Sequence, residues 1–293
     1  MASEGDRRPD LEVAARRSRI LGGLSLEAEG VRGVAIALLS TVVFLAAVVV
    51  ALTQSPGWPE VHRVFFSWHD ISSSFPEIAR AFELNVEIFL VCEAFILVLA
   101  LVIAVLRSLP GPVFFPLRAL AVIYADLARG VPTILVIAFL GYGAPALQLS
   151  GVPRSRIFWA GVGLVLVYSG YVAEVYRAGI ESIHPSQEAA ARSLGLSRFQ
   201  ALRRVILPQA IRRVIPPLLN DFIGLQKDTA LVGTLGVIEA FNQTQIDSSA
   251  TFTYGSYLAA AALFVAITIP LARFTDWLIA RDRRRRQGAG GFA

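Results

Sequence analysis

The chain has 293 residues, of which 55% are hydrophobic and 17% are charged, and its formal net charge is +5 at pH 7. Together with a mean hydropathy of +0.60, this composition excludes an ordinary soluble domain and predicts an integral membrane protein. With the apolar spans given next, the expected fold class is an all-α membrane helix bundle. The arginines lie at the ends of apolar segments rather than on a face with interleaved aromatic residues, which excludes nucleic acid as a partner.

Windows of about 20 residues, the length that crosses a bilayer, predict about six membrane spans. In chain order they are residues 31–53, 85–107, 117–145, 157–179, 208–238 and 256–280. The first follows about 30 residues and is too long for the apolar core of a signal peptide, so we expect a retained helix.

Arginine is distributed unequally between the two sides of these spans. One side has Arg7, Arg8, Arg16, Arg17, Arg19, Arg107, Arg118, Arg177, Arg192, Arg198, Arg203, Arg204, Arg212, Arg213, Arg281 and Arg283 to Arg286; the other has Arg63, Arg80, Arg154 and Arg156. By the positive-inside rule, we expect both termini and residues 183–208 to be cytoplasmic. The predicted organisation is a cytoplasmic Arg-rich tail (1–30), an N-terminal transmembrane helix (31–53), an extracytoplasmic segment (54–84), a transmembrane domain (85–280) and a basic cytoplasmic tail (281–293).

The polar interruption at residues 183–208 has the signals of two short helices. Pro185 suits a first helical position, the alanines that follow favour a helix, and Gly195 suits the left-handed residue that ends one. Ser197 and Gln200 match a capping box, which predicts that a second helix begins at once. This segment is therefore expected outside the bilayer, where a soluble partner can dock.

Several predicted spans contain charged or amide side chains, each of which costs at least a few kcal/mol in lipid. They are Glu87, Glu93, Asp126, Arg129, Glu174, Asn220, Asp221 and Lys227. Such groups are expected to face the bundle interior or a water-filled path. Asp126 with Arg129 and Glu174 with Arg177 are three residues apart, so each pair can partly neutralise itself. For Asp126 and Arg129 an ion pair that only fixes helix packing is as consistent as a path-lining role, whereas for Glu174 and Arg177 the packing role is favoured because Arg177 can snorkel to the interface.

Prolines are expected to interrupt two of the spans. Pro132, in a Gly-Val-Pro sequence, does so in the third span, and Pro216 with Pro217 does so in the fifth. Interrupted helices are tolerated in membranes where they line a cavity. Cys92 stands alone, and His62, His69 and His184 are far apart, so neither a metal site nor a catalytic residue is predicted.

Four segments together resemble one protein family. Residues 170–180 (Gly-Tyr-Val-Ala-Glu-Val-Tyr-Arg-Ala-Gly-Ile), 187–208 and 227–231 (Lys-Asp-Thr-Ala-Leu) are similar, in order and spacing, to the permease subunits of ATP-binding-cassette (ABC) importers for polar amino acids. Residues 124–132 (Tyr-Ala-Asp-Leu-Ala-Arg-Gly-Val-Pro) resemble the Tyr-x-Glu-x-x-Arg-Gly-x-Pro element of that family. The resemblance implies a type I importer (MetI-like) transmembrane domain in the bacterial plasma membrane, with an added N-terminal helix.

The resemblance also implies partners and site residues. The partners are a dimer of ABC ATPase subunits, a second permease subunit (the same or a sister chain), an extracytoplasmic amino-acid-binding protein and membrane lipid. ATP and Mg²⁺ are expected on the ATPase, because this chain has no phosphate-binding Gly-x-x-x-x-Gly-Lys-Ser/Thr loop and needs no cofactor. The expected ATPase-coupling residues are Gln187, Glu188, Ala190, Ala191, Gly195, Leu207 and Pro208. The candidate substrate path is Asp126, Arg129, Glu174, Asn220, Asp221, Lys227 and Thr229.

One departure concerns the glutamate of the coupling loop. Counting back from Gly195 and Pro208 puts Ala189 at the usual glutamate position and Glu188 one residue early. Because one residue rotates a side chain by about 100° around a helix, Glu188 is expected to miss the usual contact while the loop keeps its docking role.

Three alternatives remain at this point. An importer permease for another small solute, such as a sulfonate, phosphonate or metal, would share the fold. An intramembrane enzyme needs a paired nucleophile and base or a metal cluster within the spans, and it is disfavoured because no predicted span contains histidine. A channel is disfavoured because no filter loop is present.

Overall fold

The computed structural model describes residues 32–289, with side chains as far as Arg281. Every regular element in this range is helical. The helices are α1 (Arg32–Thr53), α2 (Trp58–Phe65), α3 (Trp68–Ser108), α4 (Phe115–Gly130), α5 (Thr133–Ala146), α6 (Arg156–Glu181), α7 (Pro185–Ser193), α8 (Arg198–Ala201), α9 (Leu207–Asp228), α10 (Ala240–Thr251) and α11 (Gly255–Ala289). A π-helical turn (Leu202–Ile206) precedes α9 and a 3₁₀ helix (Thr229–Leu235) follows it. The chain divides into two units, Met1–His62 and Arg63–Ala293.

In the first unit, α1 coincides with the predicted span at 31–53. It has 22 residues and none of its side chains is buried. At about 1.5 Å per residue it is about as long as the hydrocarbon core of a bilayer is thick. The predicted tail at 1–30 lies outside the described residues.

The second unit begins differently from the expected external segment at 54–84. Helix α3 starts at Trp68, with the Ser67 hydroxyl accepting from the amide of Asp70, and runs unbroken for 41 residues. Residues 68–84 are therefore the first turns of α3 and not a separate segment. Pro76 does not end the helix, and at about 1.5 Å per residue α3 is far longer than a bilayer is thick.

The third predicted span is broken where Pro132 predicts. Helix α4 ends at Gly130, α5 begins at Thr133, and the two axes differ by 101°. Proline lacks an amide hydrogen and disfavours a helical conformation in the residue before it, so Val131 leaves the helix.

The fifth predicted span is interrupted at a different place from the one expected. Helix α9 continues through Pro216 and Pro217. The α-helical conformation changes to 3₁₀ at Thr229, and this 3₁₀ helix is followed by Gly236, which is left-handed (φ 75°). The prolines fit because their fixed φ is helical, at the loss of amide donors. The expected interruption at these prolines is thus wrong.

In the described part of the chain, four helices are long and apolar enough to cross a membrane, or five if the bent α4–α5 pair counts as one. By this criterion the described helices give four or five of the about six predicted spans. The span predicted at 208–238 is the one missing. Helix α9 is not apolar enough to count as a span, because it contains charged residues: Arg212, Arg213, Asp221, Lys227 and Asp228.

Helix α6 lies at the centre of the second unit, against α3, α4, α5 and α9. Its Leu164, Val167 and Val172 are almost completely buried in the main hydrophobic core. Glycine allows the closest approaches: a Cβ at Gly179 would lie 2.0 Å from a methyl group of Val214 on α9. The bundle thereby fixes residues 183–208 and the polar residues of α4, α6 and α9 relative to one another.

Candidate functional sites

The segment at residues 183–208, here called the coupling segment, has the two short helices that its sequence predicts. Helix α7 begins with Pro185 in its first turn, after a cap in which His184 Nδ1 accepts from the amide of Ser186. Its last residue is Ser193, and Gly195, just beyond the C-cap Leu194, has a φ of 83°. The amide of Gly195 donates to the carbonyl of Arg192, and that of Leu196 donates to the carbonyl of Ala191. This is the Schellman pattern, and it turns the chain directly into α8.

Helix α8 is fixed by the capping box that the sequence predicts. The amide of Gln200 donates to the Ser197 hydroxyl at 3.2 Å, and the amide of Ser197 donates to the Gln200 side-chain oxygen at 2.9 Å. The turn that follows is π-helical, and its last residue, Ile206, packs with Ile183 and Ala210 in a small apolar cluster. Arg213 also donates to the carbonyl of Ser182. The segment is therefore held against the base of α6 and α9.

The outer surface of the coupling segment is apolar and basic. Leu194 is 84% exposed and Phe199 is 69% exposed. Arg203 and Arg204 lie beside Phe199 and line a shallow pocket with it.

The expected coupling residues are divided between the two sides of α7. Gln187 and Ala190 are exposed, as are Leu207 and Pro208 at the start of α9, whereas Ala191 is buried. Glu188 is half-buried, and its carboxylate lies 3.8 Å from the guanidinium of Arg198 across the turn. Glu188 thus faces α8, and the exposed position next to it is Ala189.

Asp126 and Arg129 form an ion pair near the end of α4, with 2.6 Å between Arg129 Nη2 and Asp126 Oδ1. The side chain of Asp126 is 61% exposed and that of Arg129 is 34% exposed. Arg129 also donates to the carbonyl of Ala125. Charged side chains within membrane helices almost always face the bundle interior or a water-filled cavity, or pair with one another.

Three further residues extend this pair across α6 to α9. Tyr171 donates to the carbonyl of Arg129 at 3.4 Å, its ring lies 6.0 Å from that of Tyr168, and Tyr168 donates to the carboxylate of Asp228 at 2.9 Å. We call Asp126, Arg129, Tyr171, Tyr168 and Asp228 the polar strip. The three additional residues were not among the sequence-predicted path residues, although Tyr171 and Asp228 lie within the motifs at 170–180 and 227–231.

Glu174 does not belong to the polar strip. Its carboxylate accepts from Arg177, three residues away, and from Arg107 on α3 at 2.8 Å, while Arg177 also pairs with Glu181. This ion-pair network ties α3 to α6. Its geometry favours the packing interpretation of the Glu174–Arg177 pair.

The remaining predicted path residues, on α9 and the 3₁₀ helix, lie in different environments. Asn220 and Lys227 are exposed. Asp221 is half-buried, and its Oδ2 has no hydrogen-bond partner among the residues that the structure describes. Thr229 is completely buried, where its hydroxyl accepts from Asn85 at 3.1 Å.

Asn85 and Glu239 form a buried polar connection that the sequence analysis missed. Asn85 Nδ2 donates to Glu239 Oε2 at 2.8 Å, and the amide of Ala240 donates back to Asn85 Oδ1 at 3.0 Å. Glu239 also caps α10 by accepting from the amides of Phe241 and Asn242. A usable signal was Glu239 itself, an acid immediately before a polar helix. Within the described residues, no group of three or more histidine, cysteine or acidic side chains is arranged to hold a metal ion.

Comparison with known proteins gives a consistent result. Residues 98–284 match the family model described as binding-protein-dependent transport system inner membrane component. The chain is similar to the probable amino-acid permease protein YxeN of Bacillus subtilis (36% identity over 203 residues, 69% of this chain and 89% of that protein). It is also similar to the probable glutamine ABC transporter permease protein GlnM of the same organism (36% identity, 62% of this chain and 82% of that one).

Two solved structures share the fold. One is the crystal structure of an amino acid ABC transporter with histidines, with a TM-score of 0.65, 27% identity, and coverage of 74% of this chain and 98% of that chain. The other is an inward-facing MetNI methionine ABC transporter, with a TM-score of 0.56, 18% identity, and coverage of 70% and 95%. The second likeness, at this identity, concerns the fold alone.

Proposed function

Because the chain belongs to the binding-protein-dependent transport system inner membrane component family, we propose how its coupling segment and polar strip serve transport. The chain is a multi-pass inner-membrane permease subunit of an ABC importer for polar amino acids. Permeases of this family work with ATPase and binding-protein partners. The proposal assigns the two sites to these partners and to the solute.

The coupling segment docks into a cleft of the ATPase subunit, which supplies the ATP and Mg²⁺ chemistry. This docking proposal is supported by a rigid base that carries an exposed apolar tip. The Gly195 turn and the Ile206 cluster fix the segment. Leu194 and Phe199 are exposed at its outer surface. A rigid segment can transmit the closure of an ATPase dimer as a displacement of α6 and α9, which shifts the population between inward-facing and outward-facing states.

The polar strip lines the solute path, at the surface shared with a second permease subunit. The observation that carries this assignment is the exposed Asp126–Arg129 ion pair on α4, next to the exposed Tyr171. An amino acid presents an ammonium and a carboxylate, and a paired carboxylate and guanidinium match both groups. Asn220 and Lys227 are further exposed polar residues for this path.

The topology follows from the charge distribution. Both termini and the coupling segment lie in the cytoplasm, and the binding protein delivers the amino acid from the opposite side. The second permease subunit is the same chain or a sister chain.

Thiol labelling tests the assignment of the path. In a Cys92→Ala background, cysteine at Asp126 is expected to react with a small water-soluble thiol reagent in the assembled importer. Added amino acid should slow this reaction. The matched control is cysteine at Phe139, which is 78% exposed on α5 but apolar and expected to face lipid, and which should not react.

Uptake measurements complete this test. Asp126→Leu should lower uptake of a labelled amino acid by about tenfold, as expected for the loss of one charge-assisted contact of about 1.4 kcal/mol. The ATPase should still copurify with this variant. Normal uptake, together with an unreactive cysteine at Asp126 in every nucleotide state, would place the path elsewhere.

A further inference from the structure

A cavity of about 660 Å³, here called the arginine cavity, lies between α3, α4 and α6. Its charged lining consists of Arg107, Arg118, Arg177 and Glu181. Glu181 is the last residue of α6, and the coupling segment begins two residues after it. The arginine cavity is therefore at the end of the bundle that carries the coupling segment. Neither the proposed docking of the ATPase nor the proposed solute path uses it.

Two of the three arginines are neutralised by acids of α6. Arg107 pairs with Glu174 at 2.8 Å, and Arg177 pairs with both Glu174 and Glu181. These four side chains carry two positive and two negative charges, so their network is neutral as a whole. The network fixes two guanidinium groups at the wall of the cavity without giving the cavity a net charge.

Arg118, on α4, gives the arginine cavity an uncompensated positive charge. No ion pair among the side chains that the structure describes includes it. Its Nη1 donates to the carbonyls of Leu109 (2.6 Å) and Gly111 (2.7 Å), which fixes one edge of the half-buried guanidinium. A guanidinium has further donors on Nε and Nη2, and the described part of the chain offers them no acceptor. That free edge is suited to a phosphate group, which arginine binds through two parallel hydrogen bonds.

The rest of the wall is largely apolar and reaches the surface of the bundle. Phe115, Val122, Ile123 and Ile180 line the cavity and are all exposed, Phe115 by 64% and Ile123 by 55%. A small free anion gains nothing from such a surface, because apolar groups do not replace its hydration. An arginine beside apolar walls, between the ends of membrane helices, instead fits an amphiphile with an acidic head and a hydrocarbon chain.

The loop between α3 and α4 also favours a position at the membrane surface. Residues 109–114 (Leu-Pro-Gly-Pro-Val-Phe) contain no charged or amide side chain, and Val113 is 83% exposed. Arg118 holds this loop through its two carbonyl contacts. Exposed apolar side chains at the end of a membrane helix suit the interfacial region of a bilayer, and this puts the guanidinium of Arg118 at the level of the lipid headgroups.

We propose that the arginine cavity binds one anionic phospholipid, with the phosphodiester on Arg118 and an acyl chain along Phe115, Val122 and Ile123. The single uncompensated charge of Arg118 matches the single negative charge of a phosphodiester. A zwitterionic phospholipid matches it less well, because its ammonium offsets that charge. The bound lipid contacts α3, α4 and α6 and stabilises the end of the bundle next to the coupling segment. This inference does not depend on which residues line the solute path.

Native mass spectrometry of the purified full-length chain, titrated with phosphatidylglycerol in detergent, tests the proposal. The wild type should bind its first phosphatidylglycerol more tightly than phosphatidylethanolamine with the same acyl chains. Arg118→Gln should weaken the binding of phosphatidylglycerol about tenfold, as for the loss of one charge-assisted contact, and should abolish this preference. The matched control is Arg212→Gln, which removes an exposed arginine of α9 that does not line the cavity and should leave the first binding step unchanged.

A second variant leaves Arg118 in place and decides the question if Arg118→Gln fails to fold. Ile123→Glu puts a carboxylate at the exposed edge of the arginine cavity and should also weaken the binding of phosphatidylglycerol. Its control is Leu135→Glu, at a 57% exposed position on α5 outside the cavity, which should not. Inorganic phosphate in large excess is the probe for a free anion and should not displace the lipid from the wild type.

Each other outcome counts against the site. Equal binding of phosphatidylglycerol and phosphatidylethanolamine by the wild type would show that Arg118 does not select the ligand. Displacement by inorganic phosphate would identify a free anion as the occupant. Unchanged binding of phosphatidylglycerol by both Arg118→Gln and Ile123→Glu would place the lipid elsewhere on the chain. Failure of the wild type to retain phosphatidylglycerol would leave the cavity to a protein partner.

Discussion

Asn85→Ala is expected to destabilise the bundle strongly, because one amide joins α3, the 3₁₀ helix and α10. The alanine removes the hydrogen bond to the Glu239 carboxylate (2.8 Å), the bond to Thr229 (3.1 Å) and the bond from the amide of Ala240 (3.0 Å). A bond to a charged group contributes about 2 kcal/mol and each neutral bond about 1 kcal/mol, so the expected loss is about 4 kcal/mol. All these groups are buried, and water does not replace the lost partner.

For a domain of this size, about 4 kcal/mol corresponds to a fall of about 8 to 16 °C in the unfolding temperature. The sole cysteine of the chain provides the assay, because Cys92 is only 4% exposed and becomes accessible to a thiol-reactive fluorogenic dye when the bundle opens. The control is Gln245→Ala, which removes an exposed amide from α10. A fall below about 3 °C for Asn85→Ala would refute the reasoning, since it would mean that the three bonds contribute no more than surface contacts do.

Two further predictions concern the coupling segment. Gly195→Val places a β-branched residue at φ 83°, which costs about 1 to 2 kcal/mol or more. Copurification of the ATPase with this variant should fall, while its insertion into the membrane persists. The control is Gly33→Val, at an open position in α1, which should have no effect. An unchanged yield of ATPase with Gly195→Val would show that the turn does not orient the segment. Glu188→Ala should have little effect on the uptake rate, equivalent to less than about 1 kcal/mol of free energy as for an exposed ion pair, because Glu188 faces Arg198 at 3.8 Å. A tenfold loss of uptake at normal protein level would show that Glu188 contacts the ATPase.

Local signals in the sequence were sufficient for the coupling segment and for one helix break. Pro185, Gly195 and the Ser197–Gln200 capping box each act within a single turn of backbone, so their effect does not depend on what packs against them. The break between α4 and α5 follows from Pro132 in the same way. The α1 helix coincides with its predicted span because about 20 consecutive apolar residues are a local signal too.

Tertiary structure decided where the longer helices continue. The sequence placed the start of a span at residue 85, but α3 begins at Trp68, and the aromatic and polar residues before 85 include Phe82, which is buried against α11. Helix α9 runs through Pro216 and Pro217 because its neighbours in the bundle bury Val214 and Leu225 on either side of them. An average hydropathy, or the presence of a single helix-breaking residue, takes no account of these packing energies.

Tertiary structure also decided which polar residues share a site. Glu174 and Arg177 are three residues apart and predict an ion pair, but Arg107, which completes their network, is 67 positions away. Asn85 and Glu239 are separated by 154 positions. The sequence determined the class of protein and its local turns, because these depend on composition and on neighbours within a few residues. Partnerships across the bundle depend on which helix faces meet, and only packing of the folded chain determines that.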